Sequence, residues 1–181
     1  MRLTSIAKVF AAALLVQCGA AGAAESLPGG ASSLREAHAD WVLNCTLPAK
    51  REGAPAPTVT CAISQELIQQ STKRRALVIA LTPTPEGGTK GNVIMPFGLA
   101  LSKGVQFQID EGPLSEPSAF RTCTPQGCIV PIEWGPQTAS ALAAAGKLNI
   151  AATMDSGQPV SFTISLKGFS AGSARALELT R

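Results

Sequence analysis

The 181-residue chain contains no tyrosine, one histidine, two tryptophans and six phenylalanines. So few aromatic rings weigh against a stacking platform for sugars or single-stranded nucleic acid, and against an outer-membrane barrel, whose interfaces want aromatic girdles. With a single histidine, a closed zinc site would need at least three of its four ligands from the cysteines, and these would have to converge in one place. No phosphate-cradling loop occurs: EGGTKG, residues 86–91, lacks the Lys-Ser/Thr ending and the helix it should open. Long apolar runs are absent as well, none reaching the roughly 20 residues that cross a bilayer. Fifteen basic residues against 12 acidic ones leave a formal charge of +3, too little to imply a duplex nucleic-acid partner.

What is present begins with a leader. Arg2 and Lys8 precede an apolar run from Val9 to Val16, and Gly22-Ala23-Ala24 closes the segment on small residues. That is the layout of a secretory signal peptide, residues 1–24, cleaved after Ala24. Cys18 raises the alternative of lipidation, but Gln17 stands where that reading wants a small residue. Both leader cations leave with the signal, so the exported chain carries 13 basic and 12 acidic residues and is close to neutral. Its length suits one domain with a substantial core.

Residues 25–39, ESLPGGASSLREAHA, show no periodicity and read as a flexible lead-in, with a single domain expected over 40–181. Within it DWVLNC alternates Trp41, Leu43 and Cys45, and VTCAIS returns after a proline-rich connection. ALVIALTP and GNVIMPFGLAL are apolar runs, VQFQID alternates, AFRTC and CIVPIEW flank a turn, and KLNIAATM and PVSFTISLKGF close the set. Short strands punctuated by Gly and Pro predict an all-β antiparallel sandwich, of immunoglobulin-like or small-barrel type. One helix is predicted in GPQTASALAAAG, with Pro136 at its first turn and Gly146 past its end, and a second short one in SAGSARALEL.

Four cysteines remain after export, Cys45, Cys61, Cys123 and Cys128, an even number in a chain bound for an oxidising compartment. Three pairings are open to them. Joining predicted neighbours favours Cys45 with Cys61 and Cys123 with Cys128. CTPQGC has four residues between its cysteines and strands on both sides, whereas a thioredoxin-type dithiol has two and opens a helix. Pro125 and Gly127 instead suit a hairpin tip, and a bond there is worth about 2 kcal/mol on the chain-entropy scale, against about 3 for the longer loop. Thiol–disulfide exchange at Cys123 and Cys128 is the alternative reading.

Other constellations carry less. His38 and Asp40 with a serine would make a triad only if the lead-in were rigid, and no nucleophile elbow is present. Asp110, Glu111 and Glu116 lie in a loop that reads as solvated. Lys73, Arg74 and Arg75 form the one basic run; it reads as a charged turn guarding an apolar strand, or as a contact for an anionic surface such as lipopolysaccharide or a host glycan.

Taken in order, DWVLNC, CAISQ, MPFGLALSKGVQFQID, FRTCTPQGC and ISLKGF resemble the invasion associated locus B family from about Asp40 to Phe169. The most specific stretches are Pro96 to Asp110 and the Cys-x-x-x-x-Cys loop. The resemblance implies export by a Gram-negative bacterium and supplies no catalytic residues to carry over. The expectation is therefore a non-enzymatic protein without metal or cofactor, periplasmic, outer-membrane associated or secreted. It would bind an envelope or host-surface protein through a strand edge or the loops from Pro113 to Cys128. Lys73, Arg74, Arg75, Arg121 and Gln126 are the candidate binding residues. A small apolar ligand held between the sheets is a further, weaker reading.

Overall fold

The computed structural model describes residues 26–53 and 55–181. The predicted signal peptide and Cys18 lie outside the described residues. Among the described residues, ten strands build two antiparallel sheets, and two short α-helices flank them. The strands are β1 (Ser33–His38), β2 (Trp41–Thr46), β3 (Thr60–Ile68), β4 (Arg75–Pro83), β5 (Thr89–Met95), β6 (Gln106–Ile109), β7 (Thr122–Thr124), β8 (Gly127–Trp134), β9 (Lys147–Thr153) and β10 (Pro159–Ser165). The larger sheet runs β1-β2-β3-β4-β5-β8-β7 and the smaller runs β10-β9-β6. The expected sandwich with two disulfides is what forms.

Alternation sets the core. Trp41 and Leu43, Ile63, Leu77, Ile79 and Leu81, and Val93, Val130 and Ile132 all point to one face of the larger sheet and are buried. Phe107, Leu148, Ile150 and Ile164 meet them from the smaller sheet. Helix α1 (Pro136–Ala144) opens on Pro136 as expected, where a missing N–H is harmless. Helix α2 (Phe169–Leu179) lays Phe169, Gly172, Ala176 and Leu179 onto β2, β3 and β4, an apolar stripe at helical spacing. Gly168, at φ +92, turns the chain into α2, and a side chain there would collide with the His38 carbonyl.

The lead-in is not flexible throughout. Residues 33–38 form β1 and pair along the whole of β2, from Ser33 opposite Thr46 to His38 opposite Trp41, and Leu27 is buried. The ordered unit thus begins well before Asp40. Two features hid this strand. As an edge it buries none of its residues fully, so no apolar alternation shows, and its two-residue turn uses Ala39 at φ +51 where Gly or Asn would have signalled a hairpin. Glu36 also ties β1 to α2 by accepting hydrogen bonds from the Arg175 guanidinium at 3.1 Å.

The two sheets are joined at Ser165 of β10. Gln65, buried on β3, donates from Nε2 to the Ser165 carbonyl at 3.0 Å and accepts from the Ser165 N–H at 3.1 Å. Trp41 Nε1 donates to the same carbonyl at 2.9 Å, and the Trp41 ring meets Phe169 edge to face at 5.3 Å. Elsewhere Phe107 of β6 and Trp134 of β8 make an aromatic bridge between the sheets, with centroids 5.1 Å apart.

Two measurements follow from these ties. Gln65→Leu keeps the volume but strands the Ser165 N–H, and a lost buried partner costs about 2 kcal/mol; the urea midpoint should fall with the slope unchanged. Glu36 is held below the ordinary carboxylate range, first by the Arg175 hydrogen bond. Its contribution is present above that range and lost as pH falls through the lowered value. The Tm deficit of Glu36→Gln should therefore be largest near neutrality and shrink below about pH 4.5.

Candidate binding groove

Beyond the Ser165 junction, residues of both sheets line a shared open space. β3 continues past Gln65 to Leu67 and Ile68, the turn at residues 69–74 reverses the chain into β4, and the space between this end and β10 is an open groove of about 1050 Å³. Leu67, Met154, Val160 and Phe162 supply apolar walls. Phe97 and Ile68 stand in it with 59 % and 42 % of their surface exposed, large side chains that no core element covers. Exposed apolar groups gathered in a concave site mark a contact surface more often than scattered ones do.

Its rim is basic. Arg74 and Arg75 line the groove, and Lys73 precedes them in the same turn. That turn is ordered by its own backbone: the Gln69 N–H donates to the Arg74 carbonyl at 2.9 Å and the Lys73 N–H donates to Gln69 at 2.8 Å. Lys73 adopts φ +55, which turns the chain within the short connection. Arg75 donates to the Gln126 carbonyl at 2.9 Å, so the turn grips the tip of the β7–β8 hairpin. Glu66 stands 3.8 Å from Arg75, leaving two net positive charges on the rim.

Of the five candidate binding residues, the fold brings Lys73, Arg74, Arg75 and Gln126 to this one place. Arg121 stays apart, at the foot of the hairpin with its N–H donated to Ile129. The loop from Pro113 divides in the same way. Residues 114–118 lie along β6, through bridges from Leu114 to Gln108 and from Ser118 to Val105, and only Pro125 to Gly127 reach the groove. Phe97, Met154, Val160 and Phe162 were not singled out in the sequence, because their apolar character reads there as core.

Both disulfides join directly opposed residues: Cys45 with Cys61 across β2 and β3, and Cys123 with Cys128 across β7 and β8. The first is buried at both ends, whereas Cys123 of the second is exposed on the hairpin. No helix begins at Cys123 or Cys128, so the dipole that depresses a thioredoxin-type thiol is missing. Among the described residues no cluster of His, Cys, Asp and Glu has the geometry to hold a metal ion. His38 and Asp40 part company: the imidazole lies 3.4 Å from Glu36, while the Asp40 carboxylate accepts from Ser165 Oγ at 2.6 Å.

A family model described as "Invasion associated locus B (IalB) protein" matches residues 41–176. An invasion protein B homolog of Brucella abortus (strain 2308) is 38 % identical over 161 residues, 87 % of each chain. The chain belongs to the invasion associated locus B family. Invasion protein B of Bartonella bacilliformis is 31 % identical over 159 residues, covering 86 % of this chain and 81 % of that one. The crystal structure of invasion associated protein b from Bartonella henselae superposes with a TM-score of 0.70 at 31 % identity, over 81 % of this chain and 97 % of that one. The family's fold is thus the two-sheet sandwich described above.

Access separates the two disulfides chemically. In the folded protein under a water-soluble phosphine, alkylation should appear first at Cys123 and Cys128, with Cys45 and Cys61 masked until the chain unfolds. Peptide mapping after graded reduction reads the order; simultaneous release of all four thiols would contradict it.

Proposed function

We propose that this member of the family acts by binding, not by catalysis, and that the groove between the sheets is its binding face. The observation that carries the reading is the meeting of exposed Phe97 and Ile68 with the Arg74–Arg75 rim in one concave site. An apolar floor with a charged border is the composition of recognition surfaces, where buried aromatic anchors supply most of the energy and rim charges steer encounter. The disulfide at the hairpin tip holds one wall of the groove, a structural role that needs no redox turnover.

The signal peptide expected at residues 1–24 supports action outside the cytoplasm: in the periplasm, at the outer membrane, or beyond the cell. Its partner is a protein of the envelope or of a host surface. The relatives' name, invasion protein B, supports the host-facing side of this reading.

The test uses a photo-reactive phenylalanine analogue at position 97, compared with the same analogue replacing exposed Leu114 on the far loop. Envelope or host-membrane fractions should give a discrete adduct from position 97 and not from 114. Lys73→Glu with Arg74→Glu, which spares the Arg75 tie to the hairpin tip, should lower its yield about tenfold while leaving Tm nearly unchanged. No adduct from 97, or one indifferent to the charge reversal, would sink the groove as the binding face.

A further inference from the structure

The groove is bordered along one side by an unpaired strand edge. β10 pairs with β9 alone, and its opposite edge faces the groove, which Val160, Ser161, Phe162 and Thr163 all line. In an antiparallel ladder, alternate residues aim their N–H and C=O groups at the partner strand and the others aim them away. The neighbouring bonds fix which are which. Leu166 donates to Gly146 and Met154 donates to Gln158, so the even-numbered residues of β10 bond to β9. Ser165 points the other way, and Gln65 takes both its N–H and its C=O. Ser161 and Thr163 share the orientation of Ser165, are exposed, and have no backbone partner among the described residues.

The other edges are protected. β6 is overlaid by residues 114–118, β7 is three residues long, and β1 carries Arg35 and Glu36. β10, PVSFTIS, contains no charged residue, and its only guard is Pro159 at its start. Its groove-facing side chains, Val160 and Phe162, are apolar. At the junction, Gln65 already satisfies the edge as a neighbouring strand would. Beyond it lies an open wedge that ends at the Lys73–Arg75 turn.

We propose that the partner contributes an extended segment that adds to β10 as a strand, hydrogen-bonding to Ser161 and Thr163, with an acidic residue against the Lys73–Arg75 turn. The inference rests on the groove being the binding face and specifies how it is filled. Main-chain bonds supply affinity, and alternate side chains of the segment enter the apolar wedge. Four or five residues, about 15 Å of strand, occupy the free length of β10. The charge of the rim selects against basic segments.

The test takes the exported, disulfide-bonded protein and a synthetic peptide, Asp-Asp-Val-Thr-Val-Thr-Val. Controls are the same peptide with Lys-Lys in front and one N-methylated at alternate amides. Amide exchange by NMR should show Ser161 and Thr163 protected on binding, with Leu148 and Ile150 of β9 unchanged. N-methylation on the bonding face should weaken binding about tenfold, the effect of two lost hydrogen bonds. The lysine-headed peptide should bind several-fold more weakly, a gap that closes at high salt. Ser161→Pro removes an edge N–H that β9 does not use, and should abolish binding with the fold intact.

Peptide binding that leaves both amides unprotected and ignores N-methylation would overturn strand addition while keeping the groove as the binding face. Failure of both acidic peptide and position-97 crosslinking would remove both readings. Protection of Ser161 and Thr163 in the free protein, rising with concentration, would make the occupant a second copy of this chain. Binding of phosphatidylglycerol vesicles with no peptide bound would assign the rim to an anionic membrane surface. Each of the last two results also overturns the proposal.

Discussion

The peptide unit of Ser165 is where this sandwich is closed. A buried glutamine and a buried tryptophan from one sheet converge on a single backbone position of the other, satisfying its donor once and its acceptor twice. Buried amides are tolerated only when paired, so Gln65 can sit in the core because β10 offers both halves of a peptide bond in reach of its two ends. The same contact aligns β10 with β3 at one point only. Beyond that point Leu67 and Ile68 of β3 and Val160 and Phe162 of β10 line an open groove.

The hairpin tip is the second constraint on the groove's shape. Cys123–Cys128 fixes the register of β7 on β8, and Gly127 lies so close to the Met95 carbonyl that no side chain would fit there. Arg75 then donates to the Gln126 carbonyl and ties the tip to the start of β4. The buried Cys45–Cys61 bond does different work, joining strands that are already core. One staple stabilises the fold, and the other holds the wall of a surface feature.

How much of this was legible in the sequence differs from element to element. Nine strands announced themselves by alternation or apolar runs, and both disulfides followed from joining neighbours. β1 did not, because an edge strand with half-buried residues and an alanine in its turn carries neither signal. The groove was half legible: Lys73, Arg74, Arg75 and Gln126 stood out as charged or turn residues, while Phe97 and Phe162 looked like core. Only the three-dimensional arrangement of the sheets separates an apolar residue that packs from one that waits. Arg121 shows the converse, since nearness in sequence to the hairpin did not bring it to the groove.

An unguarded edge is a liability, since any extended chain can pair with it. Three of the four edges in this fold are shortened, overlaid or charged, so the chain has the means to protect a strand. On β10 the protection stops at Ser165, where Gln65 covers the last peptide, and the next two outward-facing residues are left open beside an apolar wedge. A cationic turn next to that edge repels basic segments and other copies of the same turn, which limits indiscriminate pairing without closing the site. Openness at Ser161 and Thr163 together with selectivity at Lys73 to Arg75 is the combination a strand-accepting surface requires, and it is one that packing in the sandwich interior does not account for.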